Sequence, residues 1–379
     1  MRAELGQSTL AGWAQWNSSA PYSVGVEEEV MLLDPRDWSL AQRIDDVLPR
    51  LSSALASRAT AETHGAAIEL ASQPHDRVEA AAREITALRA ALARELAASG
   101  LRVASAGTHP FALWTATEIS SGARYQLVYE AMRELARREP TFALHVHVGV
   151  PEPEAAIVLQ NRMRVHLPLL LALSVNSPFW QGRDTGLASA RTPLFQAFPR
   201  VGIPRAFVSY DDYVETVDLL LRCDAFPEPT FLWWDVRPQP RFGTVEVRIM
   251  DAQITVAETG ALAALTQSIA HLELEEGYHT DAQSHRIEVL AENRFLAARD
   301  GMDARLIDAV AERRVPAREL LARLLEAARP HAADLGCEDA LDPLVMLGEE
   351  PGAVRQLRAA REPRHLPGLV ELLSDAFVH

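Results

Sequence analysis

The 379-residue chain carries 37 basic side chains against 52 acidic ones, a formal net charge of −15 at pH 7, and every basic residue is an arginine. The absence of lysine excludes a Walker-type phosphate loop, whose lysine sits beside the phosphates, and it excludes Schiff-base and Ser–Lys catalysis. The acidic excess argues against a general nucleic-acid binder and suggests carboxylates gathered around cations.

With 48% hydrophobic and 23% charged residues, the chain can bury a large core. Cys223 and Cys337 make neither a disulfide framework nor a zinc pattern. The amino-terminal MRAELGQSTLAG lacks the apolar run of a signal peptide. The longest apolar block, Leu167–Val175, is interrupted by Pro168 and falls far short of the ~20 residues that cross a bilayer. A cytoplasmic protein without nucleic-acid or membrane partners is expected.

In chain order, alternating or β-branched segments predict strands at Tyr22–Leu33, Ala67–Ser72, Arg102–Ala106, Ala143–Val150, Phe231–Arg237 and Gly243–Met250. Amphipathic patterns predict helices at Asp76–Ser99, stopped by Gly100, and at Ala155–Leu173, Val256–Glu276, Arg286–Arg299 and Asp303–Ala328. A last helical stretch, Gly352–Phe377, is broken by Pro363 and Pro367. Between them, Asn176–Pro204 holds Arg183, Asp184, Arg191 and Arg200 among Pro, Gly and aromatic residues. A connection of that length reads as a substrate-binding loop. There is no internal repeat, no low-complexity linker and no G-x-G-x-x-G after a strand. The pattern fits one domain, residues 1–379 with a helical carboxy-terminal segment 303–379. It is an α+β fold with helices on one face of a largely antiparallel sheet, whose other face is free to be polar.

Residues two apart on a strand share a face, and this rule isolates the chemistry. Glu27 and Glu29 share a face opposite Val26, Glu28 and Val30. His145 and His147 lie opposite Leu144, Val146 and Val148. Glu246 and Arg248 lie opposite Val245, Val247 and Ile249. Asp235 pairs with Arg237 on a face, and Glu69 stands between Ile68 and Leu70. Any one such strand could be solvated decoration, but a random polar face would be rich in Ser, Thr and Gln. Converging carboxylates repel unless cations sit among them. Hard cations such as Mg2+ take oxygen ligands and keep substrate phosphates in their shell. Arginine forks on the same face suit phosphate or carboxylate oxygens. Phosphoryl chemistry on a metal nucleotide follows as the expectation.

The segments GVEEEVMLLDP, IELASQP, LHVHVGVP, LPLLLALSVNSPFWQGRDTGLASAR, WWDVRPQPRFGTVEVRIMDAQ and NRFLAARDGMDARLID, in this order from Tyr22 to Asp308, resemble the type 2 glutamate–cysteine ligase family. Within it they are most similar to the YbdK-like ATP-dependent carboxylate–amine ligases. The resemblance implies a curved, largely antiparallel sheet of the glutamine synthetase/glutamate–cysteine ligase type, with ATP and Mg2+ on its open polar face. It implies metal ligation by Glu27, Glu29, Glu62, Glu69, His145 and Glu246, and catalytic roles for Arg248 and Arg191. It further implies substrate or ATP contacts from Arg124, Arg237, Asn293 and Arg294, small amino-acid substrates, and a homodimer. Two departures stand out: NRFLAARDG replaces an NRWRAARYG-like motif, and Glu62 stands where an Asp is frequent.

The implied reaction joins a carboxylate to an amine through an acyl phosphate, in the manner of L-glutamate plus L-cysteine plus ATP. Two rivals make different predictions. A metal-dependent amidohydrolase would explain His145-Val-His147, yet such enzymes favour an early H-x-H strand and often a carboxylated lysine. A nucleotide- or amino-acid-binding regulator that has lost catalysis would be expected to lack one of the carboxylates, and all are in place.

Overall fold

The computed structural model describes residues 11–138, 140–280, 283, 286–361 and 365–378. The amino-terminal MRAELGQSTL and Pro363 lie outside the described residues. Seven strands form the main sheet: β1 (Val24–Leu33), β2 (Ala59–Ala61), β3 (Ala67–Ala71), β4 (Arg102–Ala104), β5 (Ala143–Gly149), β6 (Val236–Gln239) and β7 (Thr244–Asp251). Their order is β6-β7-β5-β1-β3-β2, with β4 pairing the far end of β1. Every pairing in this sheet is antiparallel, as the alternating pattern led one to expect.

One face of the sheet is hydrocarbon. Val26, Val30, Ile68, Leu70, Leu144, Val146, Val148, Val245 and Val247 are buried there, in one cluster with residues of α1 (Val78–Ala98), α2 (Pro153–Ser174) and α3 (Val256–Glu275). Helix α3 is buried almost all round and packs against α1, α2 and α4 (Ala317–Leu335), as a helix apolar on every side must. Its start is set by a capping box between Thr255 and Glu258, which satisfies two otherwise orphaned backbone donors. Glu28 is the polar exception on the apolar face. Arg89 of α1 meets it with a two-pronged fork at 2.7 Å on both oxygens, and Thr259 of α3 also donates to it.

Three expectations are corrected. The stretch expected as one helix over Asp303–Ala328 begins as a hairpin, Arg305–Asp308 with Arg313–Pro316, and the helix is Ala317–Leu335. The reason is local: Pro316 has no N–H to give and favours a helix start just after it, while Leu306 and Val315 pair across the hairpin and bury together. The segment Phe231–Arg237 is not one strand. Trp233–Trp234 runs parallel to Val201–Gly202, whereas Val236–Gln239 joins the sheet as β6. Pro367 does not break a helix but sits in the first turn of His365–Ala376, where a missing N–H is harmless.

Helices Ala123–Met132 and Tyr210–Arg222 were not anticipated. The second was legible, since Ser209 caps it by accepting from the Asp212 amide. The loop Asn176–Pro204 has some regular structure of its own, a small hairpin at Phe179–Trp180 with Arg183–Asp184 and a short helix Arg191–Phe195. Among the described residues no helix is long and apolar enough to cross a membrane.

Candidate active site

Strand register brings the predicted residues together on the sheet's second face. Glu27 lies opposite His145, Glu29 opposite Glu69, His147 opposite Glu246, and Glu246 opposite Arg237. One patch thus collects residues from β1, β3, β5, β6 and β7. A register irregularity in β7 falls between Val247 and Met250, around Arg248, whose N–H bonds the Asp235 carbonyl at 2.8 Å.

His145 sits at the centre. Its Nδ1 lies 3.3 Å from Glu27 and 3.9 Å from both Glu69 and Glu246, and its Nε2 lies 3.7 Å from Glu29. His147 places Nε2 3.3 Å from Glu27 while its Nδ1 meets the Thr244 hydroxyl at 3.0 Å. Two overlapping groups, Glu27–His145–Glu246 and Glu29–Glu69–His145, each bring three ligand atoms within 4.8 Å of one another. The buried Nε2 atoms of both histidines and Nε of Arg248 have no hydrogen-bond partner among the described residues. Buried polar atoms are rarely left so, and a donor set dominated by carboxylate oxygens fits hard divalent cations with phosphate.

The electrostatics carry the same imprint. Burial pushes the Glu62 carboxyl from its ordinary 4.5 up to about 8, with Glu29 adding to the rise. Burial and the neighbouring Glu27 push the Glu69 carboxyl well above its ordinary value too. Burial works in the same direction on Glu27 and Glu246 but is outweighed, by His147 and His145 for Glu27 and chiefly by Arg237 and Arg248 for Glu246, so both are held low. A carboxyl must lose its proton to ligate a cation. Any divalent cation bound among these carboxylates is therefore expected to release protons on binding and to bind more tightly as pH rises toward 8. Calorimetry in buffers of different ionisation heat reads this directly, and proton release that is absent, or undiminished in Glu62→Gln, would contradict it. The stability sign is opposite. A carboxyl raised in the folded state keeps a proton the unfolded chain has lost, so the metal-free chain loses stability from 4.5 to about 8.

The arginines divide by role. Arg248 donates to Glu246 and its Nη1 is 3.4 Å from His145. Arg237 holds the other Glu246 oxygen at 2.7 Å, assisted by Gln239 at 2.6 Å. Arg191 donates to the carbonyls of Ile249 and Arg248 at 3.0 and 3.1 Å and is 3.7 Å from Asp251. Asp251 in turn accepts from the Asn176 amide and the Ser177 and Ser189 hydroxyls, fastening the Asn176–Pro204 loop to the end of β7. Arg124 lies at the rim, bonded to Glu228 and Thr230 and stacked on Phe231. Arg294 is held by Asp235 at 2.6 Å. Asn293 is apart from the cluster: its amide is bonded in both directions to the Ile307 backbone of the hairpin.

Two hollows open on this face. An outer cleft of about 560 Å³ is lined by Ser19, Gly25, Glu27, Pro74, His147 and Phe242 among others. An inner pocket of about 70 Å³ is lined by Glu29, Glu62, His64, His145, Arg191 and Arg248, closed by Phe195, Phe198 and Trp233. His64 was not foreseen; its pattern is that of a buried residue bonded to a carbonyl, Ala136 O at 2.7 Å.

The sequence profile of glutamate–cysteine ligase family 2 matches residues 23–369. The chain belongs to that family. A Rubrobacter xylanophilus protein provisionally named glutamate–cysteine ligase 2-1 is 40% identical over 341 residues, covering 90% of each chain. In three dimensions the chain resembles the glutamate–cysteine ligase of Francisella tularensis solved in complex with AMP (TM-score 0.70, 12% identity, 96% of this chain and 89% of that one). It also resembles a bifunctional glutathione synthetase from Pasteurella multocida (TM-score 0.71, 13% identity, 94% of this chain and 52% of that one). At such identities the likeness establishes the fold. The α+β architecture expected from the strand pattern is therefore that of the glutamate–cysteine ligases, and family 2 is a family of ligases.

Proposed function

We propose that this chain is an ATP-dependent carboxylate–amine ligase that makes an amide bond through an acyl phosphate. The observation that carries the reading is the convergence of Glu27, Glu29, Glu69 and Glu246 with His145 and Arg248 on one sheet face, between a roomy cleft and a small pocket lined by both carboxylates and arginines. We read residues 1–379 as one catalytic unit, because a single buried cluster runs from Val24 to Phe377.

Mg2+ would be held by Glu27, Glu29, Glu69, Glu246 and His145, with Glu62 at the inner edge, and supplies charge neutralisation to the phosphoryl oxygens. The outer cleft is large enough for a nucleotide, with Phe242 offering an apolar ring and Thr244 a hydroxyl. Arg248 and Arg191 at the inner pocket hold the carboxylate end of the acyl donor and the transferring phosphoryl oxygens. A carboxylate oxygen attacks the terminal phosphorus and ADP leaves. The amine then attacks the acyl carbon, phosphate departs, and the amine nitrogen gives up its proton. A chain without lysine loses nothing in this design, since carboxylates hold the cation and arginines hold the oxygens.

The acyl donor we favour is L-glutamate and the amine L-cysteine, by the family's name. The test is a coupled ADP-release assay with glutamate against a panel of amines, followed by mass spectrometry of the product. ADP release is expected only when acid and amine are both present, with a product mass equal to their sum less water. Binding of Mg·ATP without ADP release across the panel would assign the chain to the silent regulator class instead. Zinc-dependent amide hydrolysis without ATP would assign it to the amidohydrolases.

A further inference from the structure

Six acidic side chains are buried among the described residues: Glu28, Asp235, Glu246, Asp251, Glu258 and Glu273. Five of them face an arginine, namely Arg89, Arg294, Arg237 with Arg248, Arg191 and Arg355. Glu273, at the end of α3, does not. Arg162 bonds its backbone carbonyl, not its carboxylate. The carboxylate partners of Glu273 are His166 of α2 and His279 of the turn beyond α3. Both ring nitrogens converge on the same oxygen, His166 Nε2 at 2.6 Å and His279 Nδ1 at 2.7 Å from Oε1. The other oxygen is occupied by the His279 backbone N–H at 3.1 Å, which aims Oε1 at the two rings.

We propose that His166, Glu273 and His279 form a second metal site, for a zinc-class transition ion, separate from the ligase face. A fully buried anion without a fixed cation is costly, and a divalent ion at this point supplies the missing charge. Two imidazole nitrogens and one carboxylate oxygen are a zinc-type donor set, unlike the oxygen-rich set of the catalytic face. The three donor atoms already lie within 4.8 Å of one another. Entry of the ion needs the two ring nitrogens to move away from Oε1, from 2.6 and 2.7 Å to about 3.3 Å, for zinc–ligand bonds of about 2.0–2.1 Å. Ligation requires the nitrogens that face Oε1 to be free of protons, with each ring's proton on its opposite nitrogen. His166 and His279 line a cavity of about 340 Å³ between α2, the Arg305–Pro316 hairpin and α4, walled by Leu169, Leu290, Leu306 and Leu324, and the ion's fourth position would be filled from that side. A water or a small ligand fits there. The ion would tie α2 to the end of α3 and its following turn.

The test titrates the chelator-stripped full chain with Zn2+ in excess Mg2+, which occupies the hard carboxylate sites. Wild type and Glu246→Gln are expected to share one tight Zn2+ site, and His279→Gln to bind at least about 100-fold more weakly at it, since even outer-shell changes cost 10–100-fold. Zn2+ binding by His279→Gln equal to wild type, or loss of the only tight site in Glu246→Gln, would overturn the proposal. Should His279→Gln not fold, Co2+ added to wild type in excess Mg2+ decides: visible absorption of a nitrogen-ligated low-coordinate ion is expected, and its absence refutes the site. Neither readout depends on ligase turnover.

Discussion

Arg248→Ala is expected to lower ADP formation by about 10²–10³-fold while leaving the chain folded, in line with the loss of one preorganised charge contact in a closed site. Arg248 is buried, and although burial opposes its charge, Glu246 and Glu29 raise its pKa above the usual arginine value, so it stays cationic throughout the working range. Its Nε finds no partner among the described residues, leaving one prong of the fork for an oxygen arriving from a substrate. The substitution does not strand Glu246, because Arg237 and Gln239 still hold Oε2 at 2.7 and 2.6 Å. Arg248→Lys is expected to recover little, since an ammonium cannot present a planar fork. ADP release, read beside circular dichroism and melting of the same preparations, separates a catalytic from a folding defect. Near wild-type turnover in a folded Arg248→Ala protein would remove Arg248 from the mechanism and the inner pocket from the reading.

Much of this face was legible because the signal is local. Period-two alternation in GVEEEVML, LHVHVGV and TVEVRIM already separates Glu27, Glu29, His145, His147, Glu246 and Arg248 from the buried valines, and register does the rest once strands pair. What depended on distant partners was illegible. The break at Asp235 arises because Trp233–Trp234 pairs with Val201–Gly202, a contact no local window contains. The Arg305–Pro316 hairpin was hidden by Ala, Arg and Glu, which favour helix, and only its docking through Asn293 and Leu306 selects the strand form. Arg191 had the right type for a phosphate ligand, yet two of its donors are spent on the carbonyls of β7, so it buttresses the strand that carries Arg248 as well as lining the pocket. Glu28 shares the apolar face with Val26 and Val30; Arg89, 61 residues away, explains it.

Arg89→Ala is expected to cost about 3–5 kcal/mol of stability, the usual consequence of removing one member of a buried ion pair. Neither Arg89 nor Glu28 is exposed at all. Besides Glu28, Arg89 donates to the carbonyls of Ile254, Gln253 and Phe377 at 2.9, 3.0 and 3.2 Å and stacks on the Phe377 ring at 4.7 Å. One guanidinium therefore joins β1, α1, the start of α3 and the chain's carboxy-terminal turn. Its removal leaves a carboxylate and three carbonyls in hydrocarbon, with only Thr259 still donating to Glu28. Unfolding entropy of about 2.1 cal/mol/K per residue converts that cost into a fall in Tm of about 4–6 °C. The consequence for catalysis is indirect: Glu28 lies between Glu27 and Glu29, and a shift of β1 to hydrate it would displace both from His145. Weaker Mg2+ binding in Arg89→Ala is the expected companion of the lower Tm. The double variant Glu28→Leu/Arg89→Met removes both charges at once and is expected to regain more than half of the lost stability, because an apolar pair of similar volume avoids the stranded charge. If Arg89→Ala melts with wild type, or if the double variant is less stable than the single one, the pair does not anchor β1 in the way described.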